Sequence, residues 1–298
     1  MLHTPVLLEE SIDFLITNTS GKYIDATFGR GGHSRKILES ISKDGNLLAL
    51  DKDLEAIKYA KENFKNSNFS IKHSGFEDLD LINIPKKVDG ILFDFGLCST
   101  HYDNPSRGFS FKEAGPLDMR IDLRQSNKLA DLFETIDASN LANIIFQYGE
   151  EKESRKISKE ILNSFKNGEI NNTVDLAEII KKTKTQRSKR IHPATKTFQA
   201  LRIFLNDEIN NLKIGLEKSK DLIKTGGRIV CISFHSLEDR AVKQLFAPKK
   251  ISYPKEVPLN NEVIREFRVV AKKIKPKSSE LESNKRSRSA IMRVFEKI

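Results

Sequence analysis

Short apolar runs alternate with helix-like segments through the first third of this 298-residue chain. The apolar runs, at residues 23–26, 47–50, 69–71 and 88–93, have the length and composition of strands. The segments between them place apolar residues at helical spacing, and Asp53 precedes one of these segments as a capping residue. The alternation is typical of βαβ units, so it predicts an α/β protein with a mainly parallel sheet.

The alternation then stops, and helical spacing replaces it. A loop-rich stretch is followed by apolar segments of helical periodicity, and no good strand pattern separates them. We therefore predict an all-helical insertion over residues 105–190 in an α/β domain formed by residues 1–104 and 191–298. The domain is expected to resume with a long helix over 194–222 and a buried fifth strand over 228–234.

The C-terminal part of the chain is predicted to add a helix and a hairpin. Apolar positions at helical spacing indicate a helix over 237–246, and a Lys- and Pro-rich stretch follows it. Two runs typical of strands, 267–271 and 290–295, are expected to pair as an antiparallel hairpin at the edge of the sheet. The polar segment 275–289 between them has a composition that favours disorder.

Basic residues outnumber acidic ones, 51 to 41, which gives a formal net charge of +10 at pH 7. The excess is concentrated, because residues 243–298 hold 15 basic and 6 acidic residues and residues 181–196 hold 7 basic residues and no acid. Solvated surfaces usually mix the two signs, so this pattern favours a polyanionic partner. The segment 181–196 and the pair Arg286 and Arg288 are the candidates for phosphate contacts.

Other features of the sequence argue against several classes of protein. The two cysteines cannot form a disulfide framework, and neither has a zinc-ligand spacing. His33, His192 and His235 also lack a metal-ligand spacing, so we expect no metal. No apolar run approaches the roughly 20 residues of a spanning helix, and the first residues lack the pattern of a signal peptide. We expect a soluble, cytoplasmic protein without membrane contact.

A glycine-rich segment, DATFGRGGH at residues 25–33, follows the first predicted strand and opens a helix. Doubly wound sheets bind nucleotides at this position, where glycines let a ligand approach the backbone. Gly29, Gly31 and Gly32 have the spacing G-x-G-G rather than the G-x-G-x-x-G of a dinucleotide site. Asp25 lies four residues before the first glycine and would repel a pyrophosphate, so the segment favours a ligand with a cationic end.

Three further residues follow the next predicted strands. Asp51 ends the second strand, where a carboxylate can accept hydrogen bonds from ribose hydroxyls. Phe76 follows the third strand, within reach of an adenine ring, and Asp94 follows the fourth. With the glycine segment they predict a pocket for S-adenosylmethionine, in which Asp25 and the glycines hold the amino-acid end. Binding of NAD by an oxidoreductase is the direct alternative, which the glycine spacing disfavours without excluding.

Seven longer segments are more specific and span essentially the whole chain. They are HTPVLL (3–8), YIDATFGRGGHS (23–34), RGFSF (107–111), GPLDMR (115–120), HPATKTFQALRI (192–203), SFHSLEDR (233–240) and RSRSA (286–290). These segments resemble the ribosomal RNA small subunit methyltransferase H family, also called MraW. That family N4-methylates a cytidine in the decoding region of 16S rRNA, so the resemblance implies this reaction on the small ribosomal subunit.

The resemblance also implies a fold and a set of cofactor contacts. The fold is a class I, Rossmann-like methyltransferase sheet with an all-helical inserted domain, which is expected to recognise RNA. The implied contacts with S-adenosylmethionine are Gly31, Gly32, His33, Asp51, Phe76 and Asp94. After the fourth strand the family has a segment like GVSSPQ, whereas this chain has GLCSTH, so His101 stands where the glutamine is expected. The imidazole of His101 can still donate a hydrogen bond.

The reaction points to further roles for residues in these segments. An exocyclic amine is a weak nucleophile, and a carboxylate that accepts its hydrogen bond would restore lone-pair character. Asp94 is the candidate for this role, with cofactor contact alone as the alternative. His235 follows the fifth strand and is expected to touch the base or to order the pocket. Residues 107–111 offer faces for stacking on unpaired bases, or else anchor the insertion in its core.

Two other classes of function stay open. One is a noncatalytic RNA-binding or ribosome-assembly protein on a methyltransferase fold, which the intact Asp25, Asp51 and Asp94 argue against. The other is amino-methylation of DNA, whose enzymes typically carry N/D-P-P-Y after the fourth strand, where this chain has DFGL. The oligomeric state is equally open, and a homodimer is compatible with the sequence.

Overall fold

A computed structural model describes residues 5–83, 87–185, 191–251 and 262–298. The chain divides into two compact units. Unit 1 consists of Met1–Gly96 and Ile209–Ile298, and unit 2 consists of Leu97–Glu208. Among the helices of the described ranges, none combines the length and the apolar character of a membrane-spanning segment.

In the described residues, nine strands form two sheets. They are β1 (Lys22–Asp25), β2 (Asn46–Asp51), β3 (Phe69–His73), β4 (Val88–Asp94), β5 (Ile223–Ser233), β6 (Lys249–Ile251), β7 (Glu262–Ile264), β8 (Phe267–Ile274) and β9 (Ile291–Lys297). The main sheet has the order β3-β2-β1-β4-β5-β9-β8, and β6 pairs with β7 separately. The strands β1 to β5 are parallel, whereas β9 is antiparallel to β5 and β8.

Twelve α-helices lie in the same residues. They are α1 (Leu8–Leu15), α2 (Gly32–Ser40), α3 (Leu54–Asn63), α4 (Ser99–Asp103), α5 (Leu129–Thr135), α6 (Ala138–Gly149), α7 (Ser154–Lys166), α8 (Thr173–Thr183), α9 (Thr195–Leu205), α10 (Glu208–Leu222), α11 (Ser236–Leu245) and α12 (Ser278–Ser283). The helices α4 to α9 lie in unit 2, between β4 and β5 in the chain, and the described part of that interval contains no strand.

This arrangement confirms the predicted fold class, a mixed seven-stranded methyltransferase sheet with a helical insertion. All seven strand predictions correspond to strands of the main sheet, and the hairpin β8–β9 lies at its edge as predicted. Asp53 caps α3, because its Oδ1 accepts a hydrogen bond from Glu55 N–H at 3.1 Å. Unit 2 also contains α4 and α9, which the predicted range 105–190 leaves out.

The central strands are buried on both faces. Ile91 and Phe93 of β4 pack with Ile229 and Cys231 of β5 in one core cluster. Leu92 belongs to a second cluster on the opposite face, because side chains alternate along a strand. Burial on both sides explains why these strands read as continuous apolar runs. Since β1, β2, β3 and β4 are parallel, their carboxyl ends meet at one edge of the sheet.

The helix predicted over 194–222 is wrong as a single element. The structure has two helices, α9 and α10, with Asn206 and Asp207 between them. Asp207 adopts a left-handed backbone conformation, with φ of 48°, which a continuous helix does not permit. The Asn206 side chain ends α9, since its Nδ2 donates to Arg202 O at 2.9 Å.

The segment 275–289 is ordered, contrary to the prediction. It forms α12 and then a 3-10 turn over Lys285–Ser289. Ser287 is buried in this turn, and its hydroxyl donates to Asn284 O at 2.7 Å. Composition does not reveal this order because it depends on contacts with a distant part of the chain: Glu280 Oε1 accepts a hydrogen bond from Leu7 N–H at 2.9 Å, and Lys277 pairs with Glu10 at 2.8 Å.

Candidate cofactor site

The loop between β1 and α2 contains the predicted glycines and turns sharply. Gly29 and Gly31 have φ values of 56° and 70°, which residues with a side chain rarely adopt. A Cβ at Gly31 would also lie 2.5 Å from Phe64 Cζ, so the loop packs directly against the aromatic cluster beneath it. Gly31 precedes α2 as its N-terminal cap residue, and Gly32 is the first residue of that helix. The loop thus leads directly from the end of β1 into the first turn of α2.

Asp25 ends β1 and is fully buried. Its Oδ2 accepts a hydrogen bond from Ser34 Oγ at 2.6 Å, and its Oδ1 accepts one from Thr27 N–H at 3.2 Å. Burial raises the pKa of this carboxyl to about 6, although the two hydrogen bonds favour its charged form. Asp51 contributes to the rise by charge repulsion, so the two acids share one electrostatic environment.

Asp51 ends β2 and holds the glycine loop. Its Oδ2 accepts a hydrogen bond from Gly29 N–H at 2.7 Å, and its Oδ1 accepts one from Asp53 N–H at 2.8 Å. A carboxylate is the acceptor that the hydroxyl groups of a diol require. The side chain is partly exposed at the carboxyl edge, where a ribose ring could reach it.

Phe76 begins a 3-10 turn over Phe76–Asp78, directly after β3. Its ring packs edge-on against Phe93 and Phe95, with centroid separations of 5.7 and 6.0 Å. Lys52, next to Asp51, places its Nζ 5.8 Å from the ring centroid and contacts Glu77 Oε1 at 2.5 Å. Phe76 is partly buried, so its ring packs on the core and also forms part of the edge of the sheet at which the parallel strands end.

Asp94 ends β4 and is the most perturbed acid at this edge. Its backbone N–H donates to Thr27 Oγ1 at 2.7 Å, which ties the end of β4 to the glycine segment. Side-chain Oδ1 is buried and meets no hydrogen-bond partner among the described residues. Burial and, to a smaller extent, the neighbouring Asp25 raise the pKa of Asp94 to about 8, although a hydrogen bond from the Gly96 backbone favours the charged form. The carboxyl is therefore largely protonated at neutral pH.

His33 lies in the first turn of α2, and its ring is buried. Its Nε2 lies 3.1 Å from Val6 O, and its Nδ1 lies 3.8 Å from Asp94 Oδ2. The ring therefore spans from the segment before α1 to the end of β4. The sequence predicted His33 as a cofactor contact, and the structure places it beside the predicted catalytic carboxyl.

The remaining predicted contact, His101, lies in α4 of unit 2. Its ring is buried and stands 5.3 Å, centroid to centroid, from Phe109. The other predicted residues all belong to unit 1. There the structure brings together Asp25, Gly29, Gly31, Gly32, His33, Asp51, Phe76 and Asp94 at the carboxyl ends of β1 to β4.

Sequence reasoning missed several residues that build this edge. Thr27 lies inside the glycine segment and Ser34 directly follows it. The Thr27 hydroxyl accepts a hydrogen bond from Asp94 N–H, and the Ser34 hydroxyl donates one to Asp25. The pair Lys52 and Glu77 follows β2 and β3, where only the neighbouring Asp51 and Phe76 were singled out. Hydroxyl residues in or next to the glycine segment are the signal that could have identified Thr27 and Ser34, whereas no spacing pattern reveals the pair of Lys52 and Glu77.

His235 orders the end of β5. It caps α11, and Glu238 N–H points at its Nδ1 at 3.4 Å. In return Glu238 Oε2 accepts hydrogen bonds from Phe234 N–H at 2.6 Å and His235 N–H at 3.3 Å. Glu238 is buried, and its charge helps to raise the pKa of Asp94. The sequence left two roles open for His235, contact with the base or ordering of the pocket. This reciprocal cap agrees with the second role.

In unit 2 the segment 107–111 is structural. Phe109 is buried in the core of the helical unit, and Phe111 packs between the rings of His192 and Phe198. Arg107 is also buried and donates from Nη2 to two backbone carbonyl oxygens. Of the two roles that the sequence leaves open, stacking on bases or anchoring the insertion, the burial of Phe109 supports the second for this ring.

The basic segments differ in how much charge they expose. Lys184 forms an ion pair with Glu151 at 2.5 Å, and both side chains are about nine-tenths buried. Lys181 pairs with Glu178 at the surface. Residues 186–190 lie outside the described residues. Arg286 and Arg288, in contrast, are exposed in the 3-10 turn after α12.

A seven-stranded sheet in which one strand, β9, runs antiparallel to its neighbours β5 and β8 is typical of class I methyltransferases, and the glycine loop after β1 agrees with that class. The sequence profile of the MraW methylase family matches residues 1–298. The chain belongs to the MraW methylase family.

Curated relatives are similar over their whole length. Ribosomal RNA small subunit methyltransferase H of Legionella pneumophila (strain Paris) is 45% identical over 304 residues, which cover 99% of each chain. The proteins of that name from Francisella philomiragia and Caldicellulosiruptor bescii are 46% and 45% identical, over 308 and 305 residues. These alignments cover 100% and 99% of this chain, and 99% of each relative.

The family uses S-adenosylmethionine, and the residues at the sheet edge fit this methyl donor. Asp25 and Asp94 are buried acids with raised pKa values, which means that burial disfavours their charged forms. The sulfonium and ammonium cations of the donor would stabilise those charged forms. The buried Asp94 Oδ1 lacks a partner within the described residues, as expected for an atom that binds a ligand group.

Proposed function

We propose that this chain transfers a methyl group from S-adenosylmethionine to the exocyclic N4 of a cytidine in the decoding region of 16S rRNA, within the small ribosomal subunit. The observation that carries the proposal is the buried, unpartnered Oδ1 of Asp94, as seen within the described residues. This acceptor lies at the end of β4, beside the glycine loop. An amine with two N–H donors is a suitable partner for it.

The other residues of the edge would hold the methyl donor. Asp51 accepts hydrogen bonds from the ribose hydroxyls, and Phe76 contacts the adenine ring. The loop residues Gly29, Gly31 and Gly32, with Asp25 beneath them, bind the amino-acid end. When bound, the donor supplies an electrophilic methyl carbon, so the protein chiefly aligns a nucleophile and excludes water.

Asp94 acts on the nucleophile. The lone pair of the cytidine amine is delocalised into the ring, which makes the amine a weak nucleophile. As a carboxylate, Asp94 accepts a hydrogen bond from the amine, restores lone-pair character and offsets the positive charge that develops on nitrogen. The proton of the methylated amine then leaves to water. Asp94 therefore has to be ionised in the reactive complex.

Unit 2 and the exposed arginines would bind the RNA. We assign RNA recognition to the helical insertion, residues 105–190, and phosphate contacts to the basic segment 181–196, which overlaps the end of the insertion. Arg286 and Arg288 add exposed positive charge from unit 1. A cytidine in a loop or a single strand reaches a pocket at lower cost than one in a duplex, which suits a target in the decoding region.

The decisive experiment is methyl transfer from labelled S-adenosylmethionine to small subunits from cells that lack this enzyme. Naked rRNA and DNA serve as parallel substrates, and nucleoside mass analysis identifies the product. We expect N4-methylcytidine in the rRNA. If the protein binds the donor and no RNA or DNA is labelled, the substrate assignment is wrong. Stabilisation by NAD instead would favour the oxidoreductase alternative.

Asp94→Asn tests the role of the carboxyl. We expect a strongly reduced rate at saturating donor, a condition that separates the chemical role of Asp94 from its contact with the donor. Normal turnover of this variant would remove Asp94 from the chemistry. Sedimentation of the protein with and without subunits distinguishes a monomer from a homodimer, and cell fractionation checks the expected cytoplasmic location.

A further inference from the structure

We propose that Glu77 recognises the adenine base of S-adenosylmethionine: its Oε2 accepts a hydrogen bond from the exocyclic amine of the base, and Lys52 positions the carboxylate for that contact. This inference deepens the donor-binding part of the proposed function and rests on Phe76 as the residue that contacts the adenine ring. It gives a role in base recognition to the ion pair of Lys52 and Glu77.

The Oε2 atom of Glu77 is an acceptor without a donor. It is buried, and the residues that the structure describes supply no hydrogen bond to it. The other carboxylate oxygen, Oε1, contacts Lys52 Nζ at 2.5 Å. A buried acceptor without a donor costs free energy in the unliganded protein. A ligand that brings an N–H group to Oε2 therefore gains a hydrogen bond without displacing a protein group.

The acceptor lies next to the ring assigned to adenine. Glu77 directly follows Phe76 in the turn after β3. Lys52 Nζ, which contacts the Glu77 carboxylate, is 5.8 Å from the centroid of the Phe76 ring. The ring, the ammonium and the carboxylate thus form one cluster at the carboxyl edge of the sheet. An adenine that contacts Phe76 brings its polar edge, with the amine, close to this carboxylate.

Gly75 provides the space that the carboxylate occupies. Its φ of −81° is one that any residue adopts, so the backbone conformation does not require a glycine here. A Cβ at Gly75 would instead overlap Glu77 Oε2 and Lys52 Cε. The Lys52 side chain is 21% exposed, and its stem is flexible. Movement of that stem therefore uncovers Oε2 for a ligand.

The backbone on both sides of the ion pair is fixed. Lys218 of α10 donates a hydrogen bond from its Nζ to Glu77 O at 2.5 Å. His73, at the end of β3, places its Nε2 3.0 Å from Lys52 O. The two charged side chains therefore start from fixed positions, and the ion pair between them orients the carboxylate. Such preorganisation lets a single hydrogen bond distinguish two bases that differ at one position.

The chemistry of a carboxylate determines which bases fit. A carboxylate only accepts hydrogen bonds, and the C6 amine of adenine donates them. Hypoxanthine has a carbonyl oxygen at C6, which would face the Glu77 carboxylate with its negative end. Glu77→Gln keeps the shape of the side chain and adds a donor, because an amide can present either its oxygen or its NH₂ group. This variant should therefore bind both bases.

The first measurement is binding of S-adenosylhomocysteine and of S-inosylhomocysteine, its deaminated analogue, by isothermal titration. We expect the wild-type protein to prefer adenine by roughly 100-fold or more, since a site built for an N–H group rejects a base that lacks it. Glu77→Gln should reduce this preference to within about tenfold. Lys52→Met keeps the carboxylate but frees its orientation, so its preference should be intermediate.

The matched control is Glu62→Gln, which makes the same change at an exposed position on α3 and should keep the wild-type preference. An unchanged preference in Glu77→Gln, or equal affinities of the wild-type protein for the two ligands, would overturn the proposal.

A second measurement observes the amine directly. S-adenosylhomocysteine labelled with ¹⁵N at the exocyclic amine is bound to each protein, and NMR records the signals of the amine protons. We expect a downfield shift in the wild-type protein and a shift closer to the free ligand in Glu77→Gln. Equal shifts in the two proteins would overturn the inference. Neither measurement uses RNA, so if both results held while no rRNA was methylated, the proposed substrate would be wrong and the recognition of adenine by Glu77 would stand.

Discussion

The Asp51 carboxylate accepts a hydrogen bond from the backbone N–H of Gly29 at 2.7 Å. One side chain at the end of β2 therefore holds the loop that follows β1. Its second oxygen accepts from Asp53 N–H and fixes the start of α3. The acid assigned to the ribose thus also organises the glycine loop, and its loss should disturb two parts of the cofactor site.

Asp51→Asn should weaken binding of S-adenosylhomocysteine by about 10–100-fold, because hydrogen bonds to a charged group contribute about 1.5–3 kcal/mol. Isothermal titration measures the change. Asp44→Asn, at an exposed position before β2, is the matched control and should bind normally. An affinity for Asp51→Asn within twofold of the wild type would exclude a ribose contact.

Binding of a cationic donor analogue should release protons at pH 7. The pKa of Asp94 is about 8 and that of Asp25 about 6 without ligand, so Asp94 holds a proton at neutral pH. A nearby positive charge lowers both values, and the proton leaves. Sinefungin, which carries an amine in place of the sulfonium, should release more protons than S-adenosylhomocysteine, as measured by calorimetry in buffers of different ionisation enthalpy.

The control for this prediction is Asp94→Asn. Its proton release with sinefungin should fall close to the value for S-adenosylhomocysteine. If the wild-type protein released equal numbers of protons with sinefungin and with S-adenosylhomocysteine, the charge of the ligand would not be coupled to Asp94. The amine of sinefungin would then bind away from this carboxyl. The expected direction follows from the sign of the shift, since a raised carboxyl pKa means that the free protein holds a proton that a cation displaces.

Gly215→Ala should destabilise unit 1, although alanine normally stabilises a helix relative to glycine by up to about 1 kcal/mol. A Cβ at Gly215 of α10 would lie 2.6 Å from Phe76 Cδ2, so the ring must move. We expect a loss of about 1–3 kcal/mol in the free energy of unfolding, together with weaker adenosine binding. Lys213→Ala, exposed on the same helix, is the control and should leave both quantities nearly unchanged.

The sequence predicts the sheet and most of the site because both depend on short-range patterns. Strand-end acids such as Asp25, Asp51 and Asp94 can be located once the strands are assigned, since parallel strands bring their carboxyl ends together. The break between α9 and α10 could not be predicted in this way. It depends on a left-handed Asp207 and on side-chain bonds of Asn206, which periodicity does not encode.

The contact of His33 with Asp94 also escapes sequence reasoning. The two residues are far apart in the chain, and their distance depends on how α2 packs against β4. The sequence left both stacking and core packing open for Phe109 for the same reason, because burial in the core of unit 2 is a tertiary property. Residue type alone cannot distinguish an aromatic ring that binds a base from one that packs inside a helical unit.

Arg286 and Arg288 should contribute to RNA binding through phosphate contacts. Replacing both with alanine should lower affinity for small-subunit RNA and reduce the slope of log affinity against log salt by about one unit per lost contact. Filter binding at several salt concentrations measures the slope. The control is a double variant that removes the same charge from exposed positions on α3, Lys58→Ala with Lys61→Ala. An identical slope for the two double variants would argue against a specific contact.

The buried ion pair of Lys184 and Glu151 should stabilise unit 2 only as a pair. Glu151→Gln leaves a buried ammonium without its counter-charge, and such a loss typically costs about 3–5 kcal/mol. Replacing both residues, Glu151→Leu with Lys184→Met, should recover most of that stability. Glu178→Gln breaks the exposed pair with Lys181 and should change the free energy of unfolding little, because solvent screens that pair. Chemical denaturation followed by circular dichroism compares the variants, and equal losses for Glu151→Gln and Glu178→Gln would show that burial does not govern this pair.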